Sequence, residues 1–254
     1  TPKLTEEQKI LSMSRRTIAI AVALSALAFG SPLIIANANP LARQYFDQGL
    51  EKYEARNYQG AINDWSKAIE INPQAADAYN NRGIAKQDLK DYKGAIADFT
   101  KAIKIDPQDI GAYYNRGVAK SNLRDFQGAI DDHTKAIKIN PQFMLSYYRR
   151  GNAKDDLGDH QGAIADYTKA IEIDRQDADN YYNSGNANRK LRDFLRAIID
   201  HTKAIEINSQ NASAFVNRGI ARELVDDHDG ACKDWKKGAA LGDNKPIEWI
   251  RRKC

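Results

Sequence analysis

A chain of 254 residues with 42% apolar and 28% charged residues has the make-up of a soluble folded protein, not of a disordered or collagen-like one. Its formal net charge is only +4, and no concentrated basic stripe of the kind a nucleic-acid binder presents is found; the nearest approach is the tail Arg251, Arg252, Lys253, which reads as a solvated end.

From the N-terminus, Met13 opens a stretch with secretory grammar. Arg15 and Arg16 form a basic start, Thr17 to Phe29 is uncharged, Gly30, Ser31 and Pro32 break the helix, and Ala36-Asn37-Ala38 offers small residues at cleavage spacing. Residues 1–38 are therefore expected to be an export signal, with Met13 the true start and Asn39 the mature N-terminus. The competing reading is an uncleaved anchor over residues 17–36, long enough to span a bilayer but interrupted by Gly30-Ser31-Pro32. Both readings place the bulk of the protein across the cytoplasmic membrane, in a periplasm, a lumen or outside the cell, and the only contact with a membrane would be through this segment if it is retained.

Beyond residue 42 the sequence repeats. Gly49, Gly83, Gly117, Gly151, Gly185 and Gly219 recur every 34 residues, and four residues before them stand Tyr45, Tyr79, Tyr113, Tyr147, Tyr181 and Phe215. Twelve after them comes alanine each time, from Ala61 to Ala231, and nineteen after them Ala68, Ala102, Ala136, Ala170, Ala204 and then Gly238. Within residues 76–109, Ala78, Tyr79, Ala85 and Leu89 follow helical spacing, as do Ala95, Ile96, Phe99, Ala102 and Ile103. Lys90-Asp91 marks the turn, and Pro107, like Pro73 and Pro141, ends the second helix. Each unit is a helix pair that cannot bury its apolar face alone, so the units must stack.

This pattern resembles the tetratricopeptide repeat family over roughly residues 42–245. The resemblance implies an all-α, right-handed superhelical solenoid of six helix–turn–helix units (42–75, 76–109, 110–143, 144–177, 178–211 and 212–245), the array occupying 39–245, with the first helix of each unit lining a concave face. Residues 246–254 read as a short C-terminal capping helix with Ile247, Trp249 and Ile250 as its apolar side. The sequence departs from the family in two ways. Arg82, Arg116, Arg150 and Arg218 stand where leucine is usual, and Arg175 and Ser209 replace the proline of units four and five, where less sharply broken helix ends are expected.

Each histidine occupies a position that is aromatic in other units: His133 and His201 align with Trp65, Phe99, Tyr167 and Trp235, and His160 and His228 with Tyr58, Tyr92, Phe126 and Phe194. They read as packing residues rather than metal ligands. Asp64, Asp98, Asp132, Asp166, Asp200 and Asp234 each precede a lysine by three, which reads as an exposed charge pair, with the arginines Arg82, Arg116, Arg150 and Arg218 as rival partners inside their units. No phosphate-cradling loop, nucleophile elbow, Cys-x-x-Cys or metalloprotease motif is present, so no catalytic residue, metal or cofactor is expected.

The residues two before each glycine carry the functional expectation. The resemblance places Asn81, Asn115, Arg149, Asn183 and Asn217 on the concave groove, beside Tyr114, Tyr148 and Tyr182 and followed by Asn152 and Asn186. A ladder of amides can hydrogen-bond an extended peptide backbone, and Arg149 favours an acidic segment or a terminal carboxylate. The resulting expectation is a non-enzymatic scaffold or adaptor that binds protein or peptide segments and no nucleic acid. The alternative is a structural subunit or assembly factor that self-associates, or packs on a membrane complex, through its convex face. Cys232 and Cys254 are a candidate disulfide tying the cap to the last unit, against two free thiols.

Overall fold

The computed structural model describes residues 39–254, and the expected export signal lies outside them. Among the described residues the chain forms helices only. They come in six pairs: α1 (Pro40–Glu54) with α2 (Tyr58–Ile71), α3 (Ala76–Asp88) with α4 (Tyr92–Ile105), α5 (Ile110–Asn122) with α6 (Phe126–Ile139), α7 (Met144–Asp156) with α8 (His160–Ile173), α9 (Ala178–Lys190) with α10 (Phe194–Ile207), and α11 (Ala212–Glu223) with α12 (His228–Ala240). A short α13 (Ile247–Lys253) follows. Among these helices none is long and apolar enough to cross a membrane.

The same local chemistry builds each pair. A residue in the left-handed region makes the turn: Arg56, Lys90, Arg124, Arg192 and Asp226 at φ of 60 to 64°, and Gly158 at 87° in the fourth unit. The next residue caps the second helix, as when Asp91 Oδ1 accepts from the Gly94 amide at 2.9 Å. The two helices then approach closely because one partner is glycine. A Cβ on Gly83 would lie 2.6 Å from the Phe99 ring, and the equivalent glycines face Trp65, His133, Tyr167, His201 and Trp235 in the same way. The alanines close the next interface: Ala95 and Ala129, with Ala61, Ala163, Ala197 and Ala231, are fully buried.

The ends of the second helices correct one expectation. α8 and α10 stop at Ile173 and Ile207, in register with the proline-terminated helices. The stop comes from the residue after the helix. Asp174 and Asn208 turn extended, and their side chains accept the amides of Gln176 at 2.9 Å and Gln210 at 3.1 Å. Asn72, Asp106 and Asn140 do the same toward Gln74, Gln108 and Gln142, so the proline is redundant.

The stack has a defined inner side. First helices of successive units touch one another (α3 with α5, α5 with α7, α7 with α9, α9 with α11), while second helices do not come as close. The solenoid therefore curves with its first helices inside. At its far end Trp249 of α13 packs on Trp235 at 5.4 Å between ring centroids, and Pro246 is buried. Ile247, expected on the apolar side of the cap, is exposed. Cys232 and Cys254 form a disulfide with their Cα atoms 5.6 Å apart.

Candidate functional site

The repeated aspartates are part of the scaffold. Asp98, Asp132, Asp166 and Asp234 are buried, and none pairs with the lysine three residues on, which corrects the reading of an exposed charge pair. Each instead receives a two-pronged arginine from its unit's first helix. Arg116 reaches Asp132 through Nη2 at 2.6 Å and Nε at 2.9 Å, and Arg82, Arg150 and Arg218 repeat the geometry. A second cation closes the other side: Lys86, Lys120, Lys154 or Arg222. The outer guanidinium nitrogen also reaches back one unit, as from Arg116 to Thr100 at 3.1 Å. The second cation was missed from sequence, although it recurs three residues after each of these glycines.

Unit five breaks this rule. Ser184 stands where the arginine should be, and Asp200 accepts from Ser184 at 2.7 Å and Asn188 at 2.9 Å. Burial raises the Asp200 pKa above the ordinary carboxylate value, and two neutral hydrogen bonds offset this only in part.

Of the histidines, His133 and His201 fill the core beneath Tyr114 and Tyr182, at 5.7 Å between ring centroids, with neither ring nitrogen hydrogen-bonded. Burial, reinforced by Arg149 in one case and Arg189 in the other, lowers both to about 3. The other two are not simple fillers. His160 bonds Asp155 at 2.6 Å, and His228, 64% exposed along its side chain, bonds Glu223 at 2.8 Å. Among the described residues no three His, Cys, Asp or Glu side chains cluster as a metal site would require.

The inner wall holds the remaining candidates, and they engage one another. Units three to six each send a side chain back to a residue 35 positions earlier. Asn115 donates to Asn80 at 3.2 Å, Arg149 to the Tyr114 hydroxyl at 3.4 Å, Asn183 to the Tyr148 hydroxyl at 3.2 Å, and Asn217 to the Tyr182 hydroxyl at 3.1 Å. Asn183 and Asn217 use their second amide hydrogen as well, toward Asn152 Oδ1 at 3.4 Å and Asn186 Oδ1 at 2.9 Å. Their Nδ2 groups are thus spent within the protein, and the acceptor Oδ1 is the amide atom that these bonds leave over. Asn152 is further held by the Tyr167 hydroxyl at 2.9 Å.

Tyr114 is placed differently from the groove contact expected of it. It is only 9% exposed, wedged between His133 and Phe143, so its ring serves the core and its hydroxyl meets Arg149. Tyr148 and Tyr182 are half-buried, with burial raising the Tyr148 pKa and Arg149 stacked 5.5 Å from its ring centre. Asn81 is half-buried on α3 outside these rungs. A shallow cavity of about 210 Å³ opens between the third and fourth units, lined by Val118, Ser121, Asn122, Phe126, Arg149 and Asn152 among others.

The arrangement offers hydrogen-bond acceptors, one guanidinium and aromatic edges, and no nucleophile with a base beside it. The sequence profile of the tetratricopeptide repeat matches residues 76–109, 111–143 and 145–177; a TPR repeat profile matches 44–90 and a further tetratricopeptide repeat profile 178–211. No curated protein sequence matches the chain. Among solved structures, MamA is similar at 27% identity and a TM-score of 0.63, covering 68% of this chain and 94% of its own. YrrB, described as a TPR protein with an unusual peptide-binding site, shares 20% identity at a TM-score of 0.64, covering 75% and 98%. PilF of Pseudomonas aeruginosa shares 19% identity at a TM-score of 0.70, covering 84% and 98%; these last two speak for the fold alone.

Proposed function

Because the chain belongs to the tetratricopeptide repeat family, we propose that it is a non-enzymatic scaffold of an exported compartment that grips extended peptide segments along its inner wall. The observation that carries this reading is the set of rungs 35 residues apart. They fix the rotamers of Asn183 and Asn217 before any partner arrives, so an incoming strand loses its own freedom but orders little of the protein. Because Asn183 and Asn217 use their amide hydrogens internally, they meet a strand's N–H groups with their oxygens. Asn152 and Asn186, which accept through Oδ1, have their amides for its carbonyls, with the Arg149 guanidinium beside the cavity to receive a carboxylate. Recognition of backbone groups gives low sequence preference, and the guanidinium biases it toward acidic segments.

The exported location is supported by the basic-then-apolar run from Met13 to Ala38 and by a disulfide at the far end of the chain. The test is a pull-down with the protein from Asn39 onward, followed by calorimetric titration of the captured partner's peptides. Binding lost in Arg149→Ala and in Asn183→Ala, with the fold intact by circular dichroism, is the expected result. Partners that bind both variants unchanged would move the interaction off the inner wall.

A further inference from the structure

Among the six described second helices, only that of the fifth unit exposes large apolar side chains. On α10, Leu195 and Ile199 are 66% and 65% exposed, one turn apart on the same face. At the first of these positions other units carry Gln59, Lys93, Gln127, Gln161 and Asp229, and at the second Asn63, Ala97, Asp131, Ala165 and Lys233. Leu191, in the turn just before α10, is exposed too, as Leu89, Leu123, Leu157 and Leu224 are at the corresponding turns of other units, so the local feature is Leu195 with Ile199. Lys203 continues the stripe one turn beyond Ile199.

The charge around these residues is as local as the apolar surface. The turn from Arg189 to Arg196 holds four basic residues against the single Asp193. The equivalent turn of unit four, residues 155–162, holds Asp155, Asp156 and Asp159 with no lysine or arginine; that of unit six, residues 223–230, holds Glu223, Asp226, Asp227 and Asp229 with none either. Lys190 bonds Asp155 at 2.7 Å, which shows how closely these turns neighbour one another. The Arg196 side chain is 72% exposed, with Asp193 at 3.3 Å. The result, in unit five, is an exposed leucine–isoleucine pair beside a basic helix-pair junction, while the junctions of units four and six are acidic.

From this juxtaposition we infer that Leu195, Ile199, Arg192 and Arg196 form a second interaction surface, and that it takes an acidic amphipathic helix of another protein. Width and charge decide the partner. A helix is about 10 Å across, the spacing of packed helices, so it can lie on one unit without meeting the acidic turns beside it. A flat anionic membrane would bring its surface charge against Asp226, Asp227 and Asp229 at the same time. The chain's own first 38 residues, with four basic residues against two acidic, carry the wrong sign. Leucine and isoleucine at the centre supply the apolar contact, and the arginines at the rim supply orientation and partner choice.

The surface is independent of the inner wall and is tested with the whole protein. The probe is a fluorescein-labelled synthetic helix with leucine on one face and glutamate on the other; a lysine counterpart serves as control. The variants borrow residues that other units already carry: Leu195→Gln with Ile199→Ala, and Arg192→Asp, since Asp226 holds the same backbone conformation at φ 62°. Anisotropy should show binding of the glutamate helix only, at least about tenfold weaker in each variant and weakened by salt. Asn183→Ala should leave this binding unchanged, which separates it from the groove. Three outcomes overturn the inference: no binding, equal binding by the variants, or binding of equimolar phosphatidylcholine–phosphatidylglycerol vesicles that the variants abolish. A dimer on sedimentation that Leu195→Gln with Ile199→Ala dissolves would assign the surface to a second copy and overturn the inference as well.

Discussion

Asn183 donates its side-chain amide to the hydroxyl of Tyr148 at 3.2 Å, one unit earlier on the inner wall, and so spends on its own scaffold a hydrogen that a peptide would otherwise receive. What it keeps for a partner is its oxygen.

That relationship changes what the groove variants should do. Asn115→Ala with Asn183→Ala removes the hydrogen bonds to Asn80, Tyr148 and Asn152, so it should cost roughly 1–3 kcal/mol of stability as well as weaken peptide binding. Denaturant melts beside calorimetric titration of a captured peptide check both. A loss of affinity with no loss of stability would mean the rungs do not form.

The arginine–aspartate pairs should be expensive to break singly. Arg116→Leu leaves the buried Asp132 with Lys120 alone and should destabilise by about 3 kcal/mol, whereas Arg116→Leu with Asp132→Ala and Lys120→Leu should recover most of it. Urea unfolding of the single and combined variants measures the difference.

Acid should destabilise the protein through its two core histidines. Both have folded-state pKa values of about 3 against an ordinary 6.5, so the unfolded chain binds protons that the folded chain refuses. Their stabilisation is complete above pH 6.5 and is lost as pH falls from there toward 3, amounting to about 2 kcal/mol for each histidine at pH 5. His133→Phe with His201→Phe copies Phe99, removes unbonded ring nitrogens, and should flatten the stability profile between pH 7.5 and 5. Asp200 has the opposite sign, stabilising below the ordinary carboxylate value and losing this as pH rises, and it is common to both proteins in the comparison.

The disulfide closes a loop of 22 residues, so its removal by Cys232→Ser should lower stability by about 3 kcal/mol and loosen α13 first. Trp249 fluorescence against Trp235 reports the cap. Thiol labelling of the unfolded, unreduced wild-type chain should find no reactive cysteine.

The repeat made the helix pairs and their stacking legible, because glycine, alanine and aromatic positions recur at one spacing and each has a steric reason to do so. The aspartates were harder. Lys101 sits three residues after Asp98 and invites a helical pair, yet the carboxyl points inward to Arg82 and Lys86 on another helix, a relation that no periodicity within one helix displays. Helix ends at Arg175 and Ser209 were misjudged for a similar reason: proline was the visible stop, while Asp174 and Asn208, just before it, make the turn. In the groove, the sequence named the asparagines but not their hydrogen-bond partners, because the rungs join residues in different units. Tyr114 looked like Tyr148 and Tyr182 until Phe143 covered it.

Unit five gives the solenoid one slack joint. Elsewhere an arginine stitches its own first helix to the second helix of the unit before, as Arg82 to Ser66 and Arg150 to Thr134, but Ser184 is too short to reach back. At the same seam the Ser146 hydroxyl and the side-chain Oδ1 of Asn180 are buried without hydrogen-bond partners. The first helices are still tied there by Asn183 to Tyr148 and by Lys190 to Asp155. A rod fastened along its inside and left unstitched behind bends about the fastened side. Thermal flexing therefore concentrates between the fourth and fifth units, where a small rotation widens or narrows the wall around Arg149 and lets a rigid array accommodate strands of different girth.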